Sequence, residues 1–450
     1  MYKRQTVSLL DEAIEGLPSE IVFDITELGR ATKPIAAMLK AKVLAFAASP
    51  LFNGNTVYST WTNDAGEPYI NQTFDANKWQ LAADACLEAI NYAHDGGHSL
   101  FYWTNFAPSE TLSTETMTKM NLRGAITEEW NTETIWGQLY PTHGLSSLSF
   151  VRIDLAHNDE TLGRVASYYS PPLHIAEQFY SENGVPIDED TTYDYDNRYE
   201  LTFGDADHSF LVRQGYETIG LHLNRSLRFY ASMGGDGILS YDINNDTDDT
   251  NLFVADFKLG GISGFINQRN FSQTGYLPKK LVHWRDFIAN DQVFDPNDYP
   301  FPVYRLADLY LLYAECLNEA QGPSAEVYQY VDLIRARSGM DGVVASWAAY
   351  SSNPSKPTNQ DGLREIIHQE RLNELAFEGH RFWDLRRWFK AHLMLNDTDM
   401  NGWNAQGGTP ALFYQLGSKG QTQFSIKDYF WPISENDILQ NPNLDQSFGW

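Results

Sequence analysis

The sequence predicts a mainly α protein in which tetratricopeptide-like helix pairs form a scaffold and a large irregular insertion of short helices and strands interrupts it. Three observations predict this. Apolar residues recur at three- and four-residue steps in two blocks, one within the first hundred residues and one after residue 301. From about Phe101 to Phe301, Gly, Pro, Asn, Asp and Ser recur every few residues, and only short runs such as Ile135-Trp136 and Leu148-Ser149-Phe150-Val151 have strand character. A stretch of that length cannot be a plain loop, so it must fold on its own account. The expected parts are therefore 1–100 (scaffold, first part), 101–301 (irregular subdomain), 302–395 (scaffold, second part) and 396–450 (an irregular segment packing on the scaffold). At 450 residues, with no long Ser/Gly/Pro or single-sign linker, the chain should form one intertwined globule.

The elements follow in order. Leu9, Leu10, Ala13, Ile14 and Leu17 keep helical spacing up to Pro18. Thr32 is placed to cap a second helix, with Pro34 in the first turn, where a missing N–H is harmless. Ile35, Met38, Leu39, Lys42 and Phe46 line one face, Lys42 by laying its stem along it, and Ser49-Pro50 stops the run. From Asn77, Trp79, Ala82, Ala83, Cys86 and Ile90 form the stripe of an antiparallel partner that ends before Gly96-Gly97. Beyond the insertion, Leu306, Leu309, Tyr310, Tyr313 and Leu317 make one helix. Val327, Tyr330, Val331 and Ile334 make the next, closing on the cationic turn Arg335-Ala336-Arg337 and Gly339. A third runs from Leu363 to about Phe377. The repeat period is not a clean ~34 residues. Cys86 and Cys316 both fall in apolar helical stripes and read as small buried hydrophobes.

Composition narrows the function. With 59 acidic and 32 basic residues the net charge is -27, a field that repels phosphate backbones, so nucleic acid is excluded as a partner. No run approaches the ~20 apolar residues that span a bilayer. The opening Met1-Tyr2-Lys3-Arg4-Gln5 is not a signal peptide. Twelve Trp, 25 Tyr and 25 Phe exceed what a core alone needs, and several lie among Asn, Gly and Ser. That mixture suits sugar recognition, where a ring face meets C–H groups and polar neighbours take hydroxyls. The ligand-contact candidates are Trp61, Trp103, Asn131, Trp136, Tyr140, Tyr168 and Tyr169. Trp136 is favoured among them because Trp130 to Tyr140 leads into a Pro-x-x-Gly turn.

No zincin, P-loop, nucleophile-elbow or dinucleotide pattern occurs, so no cofactor and no metal are expected. The run from Asp242 to Asp248 imitates the start of an EF-hand loop but has Thr247 where glycine is required and Phe253 where the last acid belongs. The densest polar stretch is Glu370 to Trp388. A glycosidase needs two carboxyl groups flanking a sugar, whereas Glu370 and Glu374 lie one helical turn apart and project together. Glu370, Arg371, Glu374, Glu378, Arg381 and Asp384 read instead as an internal ion-pair network, with Arg371 neutralising Glu374 and Arg381 neutralising Glu378.

Four motifs carry a resemblance: Val303 to Ala320, Ile334 to Gly339, Glu370 to Trp388, and Trp431-Pro432-Ile433-Ser434-Glu435 with Asn441-Pro442-Asn443-Leu444. In order and spacing they resemble the SusD/RagB family, as do Gly29 to Lys33, Ser49 to Phe52 and Pro172 to Asp190. The resemblance implies helix pairs supporting an irregular, ligand-binding subdomain. It also implies a non-catalytic lipoprotein on the outer face of the outer membrane, capturing glycans for a SusC-like TonB-dependent transporter. Capture of peptides or another nutrient is the alternative, and a glycan hydrolase or a cytoplasmic peptide-binding scaffold the remote ones. Family members begin with a signal peptide, a lipidated cysteine and a further N-terminal segment, so the sequence reads as an N-terminally truncated chain whose membrane attachment lies in the missing part.

Overall fold

The protein is described here from a computed structural model that covers residues 2–104, 112–139, 142–151, 167–242, 248–265, 271–288, 294–441 and 443–450. Its principal helices are α1 (Tyr2–Gly16), α2 (Lys33–Ala48), α3 (Asn77–Asp95), α4 (Thr114–Thr127), α5 (Leu306–Gln321), α6 (Ala325–Arg337), α7 (Val343–Tyr350), α8 (Gln360–Glu374) and α9 (His380–Arg387). Helix α2 packs between α1 and α3, α3 packs on α5, and α5 packs on α6 and α8. The α2–α3 seam is built from Ala37, Ala41, Ala45, Ala82, Ala89 and Ala93, all buried. Side chains that stop at Cβ let the two backbones approach closely. Helix α5 is buried on every side from Leu306 to Asn318, as befits the apolar axis of a bundle.

Local chemistry sets the boundaries, with three departures from the sequence reading. Pro34 occupies the first turn of α2, but the Thr32 side chain makes no capping bond. At the other end the Ser49 hydroxyl donates to the Ala45 carbonyl at 2.7 Å. Lys42 does more than lie along its helix: its Nζ stands 2.7 Å from a carboxylate oxygen of Asp308, joining α2 to α5. Helix α8 stops at Glu374 rather than Phe377, which has φ +68°, and Gly379 at φ +84° supplies the left-handed turn that starts α9. Cys86 and Cys316 are free and buried.

The insertion leaves and returns at one place. Strands β1 (Thr134–Gln138) and β4 (Phe301–Arg305) pair antiparallel, with Trp136 opposite Tyr304 and Gln138 opposite Phe301. Between them lie short pieces such as β2 (Leu201–Phe203) paired with β3 (Glu217–Ile219). The Leu148–Val151 run, expected as a strand, instead ends the helix His143–Ser149 and continues as extended chain. A separate buried cluster of Phe179, Phe229, Tyr230, Met233 and Tyr276 gives this region its own core, completed by Trp403 of β5 (Thr398–Trp403) and by Phe413. Strand β5 pairs with β6 (Leu416–Thr422). Among the described residues no helix is long and apolar enough to cross a membrane.

Candidate functional site

The acidic run around α8 is locked into two buried charge clusters. In the first, four carboxylates (Glu133, Glu370, Glu374, Glu378) meet five cations (Arg228, Lys280, Arg305, Arg335, Arg337). Arg305 is its hub, reaching Glu133 at 2.7 Å, Glu374 at 2.9 Å and Glu378 at 2.6 Å. Arg337 bridges Glu133 and Glu374. In the second, Asp308, Glu315 and Asp384 meet Lys42, Arg371 and Arg387. Burial alone would raise Glu374, but Arg337, Arg305 and Arg228 outweigh it and hold the carboxyl well below its usual range. Glu378 is depressed in the same way by Arg305 and Lys280, again against burial.

The partners differ from those the sequence suggested. Arg371 bonds Asp384 and Asp308, not Glu374. Arg381 pairs with no carboxylate among the described residues; it stands outside the network, with one Nη 3.6 Å from Met394 Sδ. The two cations of the turn that closes α6, Arg335 and Arg337, are fully buried members of the first cluster.

The sequence-predicted ligand residues scatter. Trp103 is 1% exposed, packed on Tyr241 and Trp284, and its indole N–H donates to Glu128 at 3.1 Å. A ring so enclosed cannot serve as a platform. The Asn131 amide donates to the Glu128 and Ala125 carbonyls just beyond α4, which spends it on backbone. Trp61 is half-buried against Tyr69 and Phe430 and donates to the Gln446 carbonyl at 3.2 Å. Trp136 packs on Tyr304, with centroids 5.4 Å apart, beside a cavity of about 330 Å³ that Trp130 and Asn131 also line. Tyr168 and Tyr169 stand open, at 49% and 44% exposed. Tyr140 lies outside the described residues, as does most of the EF-hand-like run (243–247). Among the described residues no group of His, Cys, Asp and Glu is placed to hold a metal ion.

A different aromatic group stands on the surface. Phe382, Trp383 and Trp431 are 43%, 48% and 58% exposed, with centroids 5.0 to 6.1 Å apart. The Arg386 guanidinium lies 3.6 Å from the Phe382 centroid and 5.4 Å from that of Trp431, which holds the rings in place by cation–π attraction. Two cavities flank the first turn of α9. One, of about 740 Å³, is lined by Tyr169, Pro172, Phe377, Arg381 and Phe382. The other, of about 700 Å³, is lined by Phe46, Tyr304, His380 and Trp383. Gln138, Phe301, Glu378 and Gly379 line both, so the two share a wall. Fixed rings beside concave, mostly apolar walls with a few polar groups are the ordinary makings of a small-ligand site. Periodicity within α9 gave no signal for this group: Phe382 and Trp383 stand three or four residues before the buried Leu385, Arg386 and Arg387, positions that share a helix face with them, yet both rings are exposed.

The fold is a frame of packed helix pairs that carries a loop-rich body between β1 and β4, and known proteins share it. The family model for the SusD family matches residues 105–450. The chain belongs to the SusD family. SusD-like protein P25 of Formosa agariphila is 37% identical over 120 residues, which is 27% of this chain and 21% of that protein. SusD-like protein P2 of the same organism is 32% identical over 141 residues, 31% of this chain and 24% of that protein. The matched segments thus span about a quarter or less of these relatives. Among solved structures, BT4246 superposes with a TM-score of 0.79 at 27% identity, over 99% of this chain and 75% of that one. A SusD-like protein from Bacteroides fragilis, BF3747, has the same fold, with a TM-score of 0.67 at 21% identity over 99% of this chain and 70% of that one.

Proposed function

We propose that this protein captures glycans at the outer cell surface without cleaving them, on the aromatic surface around α9, and delivers them to a SusC-like TonB-dependent transporter. The observation that carries this reading is the exposed, Arg386-braced group of Phe382, Trp383 and Trp431 beside the two cavities. Stacking on ring faces excludes water from a sugar's C–H face, and the rings need no reordering to receive it. Membership of the SusD family supports the role. The binding-only character is supported by the fate of the carboxylates: Glu370, Glu374 and Glu378 are all engaged by buried cations and are not free to move protons. Attachment to the outer membrane by a lipid belongs to the same reading.

The test is binding to a panel of oligosaccharides by calorimetry, with Phe382→Ala and Trp383→Ala alongside the parent. The expected result is at least a ~10-fold weaker Kd in each variant, about 1.4 kcal/mol, with a melting temperature within a degree or two. Parent-like affinity in the double variant removes the α9 surface as the site. Appearance of new reducing ends during incubation removes the binding-only reading.

A further inference from the structure

Two cations beside this surface stand without an acid of their own. The cations packed around α8 and α9 are taken by carboxylates: Arg228, Arg305, Arg335, Arg337, Arg371 and Arg387 each have at least one. Arg381, Arg386 and Lys390 have none within 4 Å among the described residues, and Arg386 lies on the ring of Phe382. Arg381's nearest carboxylate influence, Asp384, is spent on Arg371 and Arg387. Lys390 faces the ring of His368, with Nζ 3.2 Å from Nδ1. Both cations lie over Trp388, at 5.9 and 6.0 Å from its centroid, and His368 stacks on that ring at 3.5 Å.

Arg381, His368, Trp388 and Lys390 line one recess of about 280 Å³. The recess has three acids too: Glu189 and Glu365 engage Lys356, at 2.5 and 3.2 Å, while Asp188 has no cation within 4 Å among the described residues. Burial holds the guanidinium of Arg381 down at about 10 and lowers Lys390, against the pull of Glu365 and with the repulsion of Arg364 and Arg381. Each carries more N–H donors than the protein fills: five on Arg381, three on Lys390. Arg381 also lines the cavity of Tyr169 and Phe382, so a single side chain belongs to both the aromatic groove and the recess.

We propose that this recess receives an anionic substituent of a sugar, a uronic carboxylate or a sulfate ester, while the sugar ring lies in the aromatic groove. The proposal rests on the glycan-capture reading and narrows its ligand class. An oxyanion would replace water on both cations with charge-assisted bonds, which are about twice as strong as neutral ones. The net charge of -27 does not forbid it, because exposed acids more than ~10 Å away are screened at ordinary salt while the two cations act at contact. A neutral sugar would leave both cations partly buried and uncompensated.

The experiment measures calorimetric Kd for uronic-acid oligosaccharides, for the same oligosaccharides after reduction of their carboxyl groups, and for sulfated oligosaccharides of matched length. The parent, Arg381→Gln and Lys390→Gln are compared, each checked by its melting curve. The expected result is that the parent prefers an acidic oligosaccharide over a neutral one by about tenfold or more, and that the preference shrinks to within about twofold in both variants. The uronate and sulfate arms then say which oxyanion fits. Equal binding of the acidic and carboxyl-reduced forms overturns the recess while leaving glycan capture standing. A preference that survives in both folded variants overturns the assignment of these residues. If no oligosaccharide of any charge binds the parent, both readings fall. Should either variant unfold, Arg381→Lys replaces it, since it keeps the charge and loses the bidentate fork: an intermediate preference is expected, and an unchanged or abolished one counts against Arg381.

Discussion

Arg371 contacts Asp384 at 2.9 Å and Asp308 at 3.0 Å, with all three side chains out of water. Arg371→Ala leaves two acids sharing Lys42 and Arg387, and breaking a buried pair from one side costs about 3–5 kcal/mol. The urea midpoint should fall accordingly, and a parent-like midpoint would mean the cluster is not packed as described. Trp136 gives a contrasting case. Half-buried in β1 against Tyr304, it should cost about 2 kcal/mol when cut to alanine. Unchanged melting in Trp136→Ala, together with lost glycan binding, would return it to the ligand site. The sequence picked it for its neighbours, Asn131 and a following turn, and Asn131 turned out to serve the backbone. Whether a ring faces water depends on what packs over it, and that partner is often far away along the chain.

At the scale of elements, α2 and α5 are tied by one charge pair across an apolar seam, Lys42 with Asp308. Burial would raise Asp308, yet Lys42, His380 and Arg371 hold it well below the usual range. Lys42→Met keeps the apolar stem and removes the charge, leaving Asp308 to Arg371. Asp308→Asn leaves Lys42 without its acid and Arg371 with Asp384. Both variants should melt lower, and the double variant Lys42→Met/Asp308→Asn should recover part of the loss, because a cycle isolates the pair's own coupling. Strict additivity would show that the contact is idle. These helices were legible from spacing alone, since Ala, Leu and Ile at three- and four-residue steps declare a buried stripe. The acids were legible as a network, but their partners were not. Glu133, Arg228, Lys280 and Arg305 come from segments with no periodicity, and no local rule points from Glu374 to a residue some seventy positions earlier. The rings of α9 were not legible at all: spacing puts Phe382 and Trp383 on the side of the buried Leu385, Arg386 and Arg387, and with Arg381 they sat inside a motif that read as structural throughout.

For the whole molecule, protonation works in one direction. His368 is pushed down to about 4, chiefly by burial, and His174 and His380 are lowered by the same cause. Each is neutral when folded and gains a proton more readily when unfolded, so their contribution is complete above ~6.5 and is lost as pH falls. Glu315, Glu374, Glu378, Asp308 and Asp384 are held low in the fold, so theirs is complete above ~4 and is lost as pH falls further. Asp236, Asp286, Glu319 and Asp332, raised by burial, pull the other way but are fewer. The urea midpoint should therefore be flat near neutrality, decline from about pH 6.5 and drop more steeply below about pH 4. A midpoint that rises on acidification would refute this balance. Salt should act in the opposite sense: surface acids in a chain of net charge -27 repel one another and are screened, whereas buried pairs scarcely feel added ions. Melting temperature should climb as salt is raised from ~0.01 to ~0.2 M.

The pairing of β1 with β4 has a consequence for inheritance. Because Gln138 faces Phe301 across a hydrogen-bonded ladder, everything between them enters and leaves the frame through a gap of about 5 Å. Such a doorway lets a lineage exchange the contents while keeping the house: a segment of any length can be spliced in if its two ends meet there. The newcomer must pack on Trp403 and Phe413, and it meets an electrical constraint as well. Arg228 and Lys280 both arrive from inside the exchanged stretch to neutralise Glu370 and Glu378. A graft that fits the gap but brings no cations would leave Glu370 to Arg335 and Glu378 to Arg305 alone, so a compatible insert does best with two positive charges as its pass.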